Sequence, residues 1–276
     1  MPARRITSLT IKDIQKLCFD ATVASYRSNP IVSPLRPALS KALAGTALAF
    51  TFEDGLQLGY QIGAQRVSWQ QDGSEWHEEY AECLESTQPG VFLLHHLRTH
   101  VNPFEAATLI LDTNTRRATL IYDRIGKKSA TRDVNRTVHY GWWGEKPAQL
   151  HAVTEDLVGK VIDWKFADEA IIHMAYVNIQ CCAFVSPAPA ALPGWKDYFS
   201  TFNPTRYIRI TDNLIAMSFY APYGSGMEVT MLMDLQNMHA VGALFGIDST
   251  DRFCSCTFGA RGAYAQLGFI GRYTVE

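Results

Sequence analysis

Two ten-residue stretches of this chain match one another, and that match restricts the fold more than any other feature. Gly45-Thr46-Ala47-Leu48-Ala49-Phe50-Thr51-Phe52-Glu53-Asp54 and Gly159-Lys160-Val161-Ile162-Asp163-Trp164-Lys165-Phe166-Ala167-Asp168 share a leading Gly, small or aliphatic positions, two aromatics one residue apart, and a closing Asp. Aromatics at period two mark a half-buried strand. Two further pairs keep the same order: Leu109-Ile110-Leu111-Asp112 with Met231-Leu232-Met233-Asp234, and Thr137-Val138-His139-Tyr140-Gly141 with Ser255-Cys256-Thr257-Phe258-Gly259. Ala118 then falls opposite Ala240 and Gly144 opposite Gly262. The separations are 114, 122 and 118 residues, so a β unit is duplicated and only loop lengths drift. The shared residues read as scaffold, and chemistry is expected where the halves differ.

From Gly45 onward the apolar period is two. Leu48, Phe50 and Phe52 alternate, as do Leu56, Leu58, Tyr60 and Ile62, with the turn Glu53-Asp54-Gly55 between them. Asp-Gly between such runs predicts a hairpin, because Gly takes the positive φ of a tight turn. Further strands are expected at Gln65 to Gln70, Trp76 to Leu84, Val91 to Thr99, Ala107 to Asp112, Arg117 to Ile125 and Thr137 to Trp142. Short strands at this spacing specify an antiparallel barrel or sandwich. Ahead of them, residues 10 to 26 read as a helix with Thr10 as N-cap and Ile14, Leu17, Cys18, Ala21 and Ala24 on one face; a short helical piece is expected at Ala38 to Leu43. The pattern loosens between Pro147 and Asp156, which divides the chain into an N-terminal segment (1–43), a first β domain (44–150) and a second (151–276).

At 276 residues, 47% hydrophobic and 19% charged, the chain can bury a sizeable core. A net charge of -2 leaves no excess of cations for nucleic acid or an anionic membrane. No run approaches the roughly 18 apolar residues of a membrane span, and the N-terminus lacks the pattern of a secretory signal. Six cysteines show neither a CxxC pair nor zinc-finger spacing, which fits reduced thiols in a cytoplasmic protein.

The most suggestive strand is Phe92-Leu93-Leu94-His95-His96-Leu97-Arg98-Thr99-His100. Alternation puts His96, Arg98 and His100 on one face and Leu93, His95 and Leu97 on the other. If the first face looks inward, imidazole can shuttle a proton while guanidinium holds an enolate, phenolate or carboxylate. The competing reading is a solvated barrel exterior, since Phe92 and Leu94 share that face. His-x-x-x-His would put two rings on one side, but no nearby acid completes a ligand set, so no metal is expected. Glu78, Glu79 and Tyr80 with Tyr60 form a second cluster of hydrogen-bonding groups. In the second half, the 114-residue offset aligns His173 with Gly59 and Tyr176 with Ile62, placing His173 on the face opposite Tyr60. Trp164, Phe166, Met174, Met217, Met231 and Met233 make the expected interior there bulky and apolar. No strand–glycine-turn–helix phosphate loop and no Gly-x-Ser-x-Gly elbow occur.

The chain resembles the molybdenum cofactor biosynthesis protein F (MoaF) family. In the first half the likeness rests on Phe50 to Gly55, Tyr60, Val67-Ser68-Trp69, Glu79-Tyr80, Pro89-Gly90-Val91-Phe92 and Leu109 to Asp112; in the second, on Thr154 to Lys160, His173, Tyr176, Gln180-Cys181-Cys182 and Phe245-Gly246. The resemblance implies tandem lipocalin-like (calycin) β-barrels, and similar two-barrel proteins include cofactor-free cyclases and isomerases. The expected function is accordingly a cofactor-independent cyclase or isomerase, or a dehydratase or decarboxylase, acting on a hydrophobic aromatic or polyketide-like metabolite. His96, Arg98 and Tyr80 are the expected catalytic residues; Tyr60, Trp69, His100, His173 and Tyr176 are the expected substrate contacts. No cofactor or metal is expected, nor nucleic acid or membrane; a homodimer is compatible. A carrier protein without a reaction, or an accessory factor in molybdenum cofactor assembly, are the alternatives.

Overall fold

The computed structural model describes residues 34–101, 105–128, 132–167, 170–185, 199–221, 227–247 and 253–265. The helix expected over residues 10 to 26 lies outside them. Eight strands build the first half: β1 (Thr46–Phe52), β2 (Gln57–Ile62), β3 (Arg66–Gln71), β4 (His77–Glu85), β5 (Val91–Leu97), β6 (Glu105–Asp112), β7 (Arg117–Lys128) and β8 (Arg132–Trp143). Each pairs antiparallel with the next, and β8 returns to β1, closing a barrel. The short β9 (Ala152–Val153) precedes β10 (Val161–Ala167), β11 (Ala170–Asn178), β12 (Cys181–Val185), β13 (Phe199–Arg209), β14 (Leu214–Ala221), β15 (Met227–Asp234), β16 (His239–Ile247) and β17 (Phe253–Tyr264). Pairing of β10 with β17 and of β12 with β13 closes a second eight-stranded barrel, with β9 alongside β13.

Turn chemistry follows the residues. Gly55 (φ 92°) makes the β1–β2 hairpin, and Asp72 (φ 50°) with Gly73 (φ 74°) the β3–β4 hairpin. Closure of the first barrel depends on Gly141, which faces Phe52 across β8 and β1. A Cβ there would stand 2.6 Å from the Phe52 ring and from the Thr51 carbonyl oxygen. Residues 38 to 43 are not helical; the chain runs without regular structure to turns at 42–45, and Ser40 N–H bonds the Cys83 carbonyl. This segment is laid along a barrel edge, and that tertiary contact overrides its helical propensity.

The first barrel encloses Phe50, Phe52, Leu58, Tyr60, Trp69, Phe92, Leu94, Leu109 and Leu120. The second encloses Trp164, Phe166, Met174, Tyr176, Met217, Met231, Met233 and Phe258. Outer faces then pack barrel to barrel through Leu84, Leu93, Ile110, Ile208, Leu214, Ala216, Leu232 and Val241. Strands β5, β6 and β15 are therefore buried on both faces, which is why their sequences lack alternation.

One register differs from the sequence match. Leu120 pairs with His139, and its counterpart Gly242 pairs with Phe258, so His139 corresponds to Phe258 rather than to Thr257. The last strand is displaced by one residue, and a one-residue slip exchanges the two faces of a strand. Thr257 points outward to Glu82, whereas His139 points into its barrel against Phe52 and Tyr122.

Between the barrels, partly buried Arg136 donates to Glu228 Oε1 at 2.5 Å and to Ser218 Oγ at 3.1 Å. Buried Asp123 Oδ1 and Glu228 Oε2 have no hydrogen-bond partner among the described residues. Burial pushes both carboxyls up, with the Glu228 charge adding for Asp123 and the Arg136 charge opposing for both. The folded state thus holds protons that the unfolded chain releases above about pH 4, so this contribution declines as pH rises toward the folded values. Asp123→Asn, which cannot ionise, is expected to flatten the fall in urea-unfolding free energy as pH rises above about 4; one proton contributes at most about 1.4 kcal/mol per pH unit. An unchanged slope would show that Asp123 is ionised in the interface.

Candidate small-molecule site in the first barrel

Four of the expected residues meet inside the first barrel. Strand β5 carries His96 inward, where it is 2% exposed. Its Nδ1 lies 2.7 Å from the Leu97 carbonyl oxygen, which can only accept, so Nδ1 carries the hydrogen. Nε2 is then the acceptor for the Tyr60 hydroxyl at 2.8 Å. Burial lowers the His96 pKa to about 3, partly offset by the bond to Leu97, so the ring is neutral and both its nitrogens are engaged.

Arg98 follows two residues later, 5% exposed, with Cζ 4.6 Å from the Trp69 ring centroid and 4.2 Å from that of Tyr122. Its Nη2 donates to Gln71 Oε1 at 2.8 Å and its Nη1 to Glu105. Glu105 also receives Arg124 Nε at 2.8 Å, so two guanidinium groups share one carboxylate. Among the described residues, three buried polar atoms of this cluster have no partner: Arg98 Nε, Trp69 Nε1 and the Tyr122 hydroxyl. The first two can only donate. An acceptor oxygen, best a negative one, is what the cluster lacks.

Around the same end of the barrel, His77 stacks on exposed His100 at 4.9 Å and tilts against Trp69 at 5.0 Å. Glu79 takes the Thr99 N–H at 2.8 Å and is raised by burial. His139 Nδ1 bonds Asp54 Oδ2 at 2.5 Å.

Tyr80, Tyr176, His173 and His100 stand elsewhere. On β4, Ala81 and Cys83 face the interior, so Tyr80 faces out, donating to Glu82 at 2.8 Å and packing with Leu97, Ala106 and Phe245 at the interface. His173 lies on the outer face of β11, bonded to Asp163. Tyr176 is inside the second barrel, where its hydroxyl accepts Trp164 Nε1 at 2.9 Å. His100 is exposed at the rim of the first barrel, where it stacks on His77, the ring that meets Trp69. Asp54, Gln71, Glu105, Tyr122, Arg124 and His139 belong to the cluster and were not singled out in the sequence. Alternation along Leu120-Tyr122-Arg124 and the correct register of β8 are the signals for three of them.

The barrels differ at these positions. By strand pairing, Tyr60 corresponds to Met174, Trp69 to Phe184, His96 to Phe219, Glu105 to Met227, Tyr122 to Leu244 and His139 to Phe258. All six counterparts belong to the apolar core of the second barrel. Among the described residues no group of three His, Cys, Asp or Glu side chains is arranged to hold a metal.

Two closed antiparallel barrels in tandem, one filled with hydrocarbon and one lined with polar groups, define a duplicated lipocalin-like protein. Residues 35–127 match the MoaF N-terminal domain and residues 151–267 the MoaF C-terminal domain, so the chain belongs to the MoaF family. No curated protein matches it.

Proposed function

We propose that the first barrel takes a hydrophobic, conjugated metabolite and transforms it without a cofactor, by acid–base chemistry of the kind that cyclises or isomerises. The observation that carries this reading is the set of unpartnered buried groups at Arg98, Trp69 and Tyr122. Leaving such donors unpaired costs about 1 to 3 kcal/mol each, a cost that a bound oxygen removes. An oxyanion that develops during reaction gains more from them than a neutral carbonyl does, which is the condition for catalysis. Phe50, Phe52 and Leu94 supply the apolar wall. His96 has no free nitrogen, and its part is to fix Tyr60 and keep the wall uncharged.

A carrier without a reaction is the second reading. It is favoured by the clamping of Arg98 between two rings and Glu105, which suits retention as well as turnover. Native protein incubated with a metabolite extract and freed of unbound material should retain conjugated compounds with an acidic oxygen, identified by mass spectrometry. Retention that is absent, or identical in Arg98→Met, contradicts the proposed site; retention with no conversion favours the carrier.

A further inference from the structure

Resting on that reading, we propose that His139 is the group that moves the proton, with Asp54 as its positioning residue, and that the barrel carries out enolate isomerisation of a conjugated ketone. His139 is on the inner face of β8, its ring 5.4 Å from Tyr122 and 6.0 Å from Phe52, both edge-on. Tyr122 in turn lies against Arg98, so imidazole and guanidinium flank one aromatic ring.

The tautomer follows from the partner. A carboxylate only accepts, so the bond from Nδ1 to Asp54 places the hydrogen on Nδ1 and leaves Nε2 as a base. That nitrogen makes no hydrogen bond among the described residues, in contrast to His96, where both are taken. The side chain of His139 is 12% exposed and that of Asp54 53%, so the pair stands at the rim of the barrel. Partial desolvation pushes the Asp54 carboxyl up, but the bond from His139, the Leu56 N–H and the His139 charge together hold it below its ordinary value. Asp54 thus stays ionised to balance an imidazolium. Around the ring, the titratable and charged groups are Asp54 from the β1–β2 turn and Tyr122 from β7, with Arg98, Glu105 and Asp72 acting on Tyr122.

The step balances without an oxidant. His139 Nε2 takes a proton from the carbon next to the ketone. The C–H electron pair forms the new carbon–carbon π bond, and the carbonyl π pair moves to oxygen. Arg98 Nε–H and Trp69 Nε1–H donate to that enolate oxygen. The imidazolium returns the proton at the conjugated carbon, and the product is an isomer of the substrate.

The test uses 4-hydroxyphenylpyruvate as the probe and follows loss of its methylene signal in D2O by proton NMR. Wild type should accelerate exchange. His139→Gln should slow it by about a hundredfold or more, the usual contribution of a general base, with probe affinity changed less than about threefold. Asp54→Asn should move the pH profile of exchange to lower pH, and Asp54→Glu should restore it, which a purely structural role would not do. His139→Gln with a wild-type rate overturns the dyad; if Arg98→Met still abolishes binding, the barrel site itself stands. Binding without exchange in wild type also overturns the dyad. Failure of wild type to bind the probe overturns both.

Discussion

Between pH 6.5 and pH 4 the protein is expected to lose about 3 to 9 kcal/mol of stability, a large share of what a typical domain has. Three buried histidines are responsible. Burial lowers His95 to about 4, His96 to about 3 and His151 to about 3. His95 bridges the barrels, with Nδ1 2.9 Å from Thr108 Oγ1 and Nε2 3.0 Å from Ser255 Oγ. His151 touches Thr119 at 2.9 Å. An unfolded histidine titrates near 6.5, so below that pH the unfolded chain binds protons that the folded chain refuses, and stability falls as pH falls. The window closes near pH 3 to 4, where the folded rings also charge. Asp123 and Glu228 act in the opposite sense, so maximum stability is expected near neutrality. Urea midpoints measured at half-unit steps from pH 7.5 to 4 test this. A slope of about one to three protons near pH 5 is the expected result, three from the histidines less up to two held by Asp123 and Glu228, and His95→Gln should reduce it by about one. A flat profile would mean that these rings are solvated or already charged.

Much of the fold was readable because strand period, Asp-Gly turns and aromatic spacing report directly on a pleated surface with one buried face. That logic placed Phe50, Phe52, Tyr60 and Trp164 inside, and put His173 on the opposite face from Tyr60. It weakened on β5, where barrel interior and barrel–barrel contact bury both faces, and Phe92 to Leu97 carries no polar alternation to choose between them. Tyr80 illustrates the same limit. An amphipathic ring suits either face of β4, and only closure of the barrel sends it toward Phe245. His139 was hidden for a different reason. Matching Gly141 to Gly259 is attractive by residue type, yet the pairing of β17 sets the strand one residue away and turns a scaffold position into an interior one. Glycines mark close approaches, and the two barrels need those approaches at different points.

Duplication also explains why one barrel can carry chemistry. The second copy is closed by hydrocarbon and shares a broad face with the first, so it buttresses the strands that aim Arg98, Glu105 and Tyr122. Polar groups that would weaken an isolated eight-stranded barrel are tolerated where a partner barrel adds burial from outside.

The central claim is that Trp69, Arg98 and Tyr122 wait for a ligand oxygen. The most direct measurement is the indole N–H resonance of Trp69 in a nitrogen–proton correlation spectrum during titration with 4-hydroxycinnamate. The Trp69 signal should move on binding, because its Nε1 gains an acceptor. The Trp164 signal should stay, since its Nε1 already donates to the Tyr176 hydroxyl at 2.9 Å in the other barrel. Arg98→Met should weaken binding about a hundredfold, the loss of charge-assisted hydrogen bonds worth about 2 to 3 kcal/mol. A Trp69 resonance that is stationary at saturating ligand, or a Trp164 resonance that moves in its place, would contradict the account.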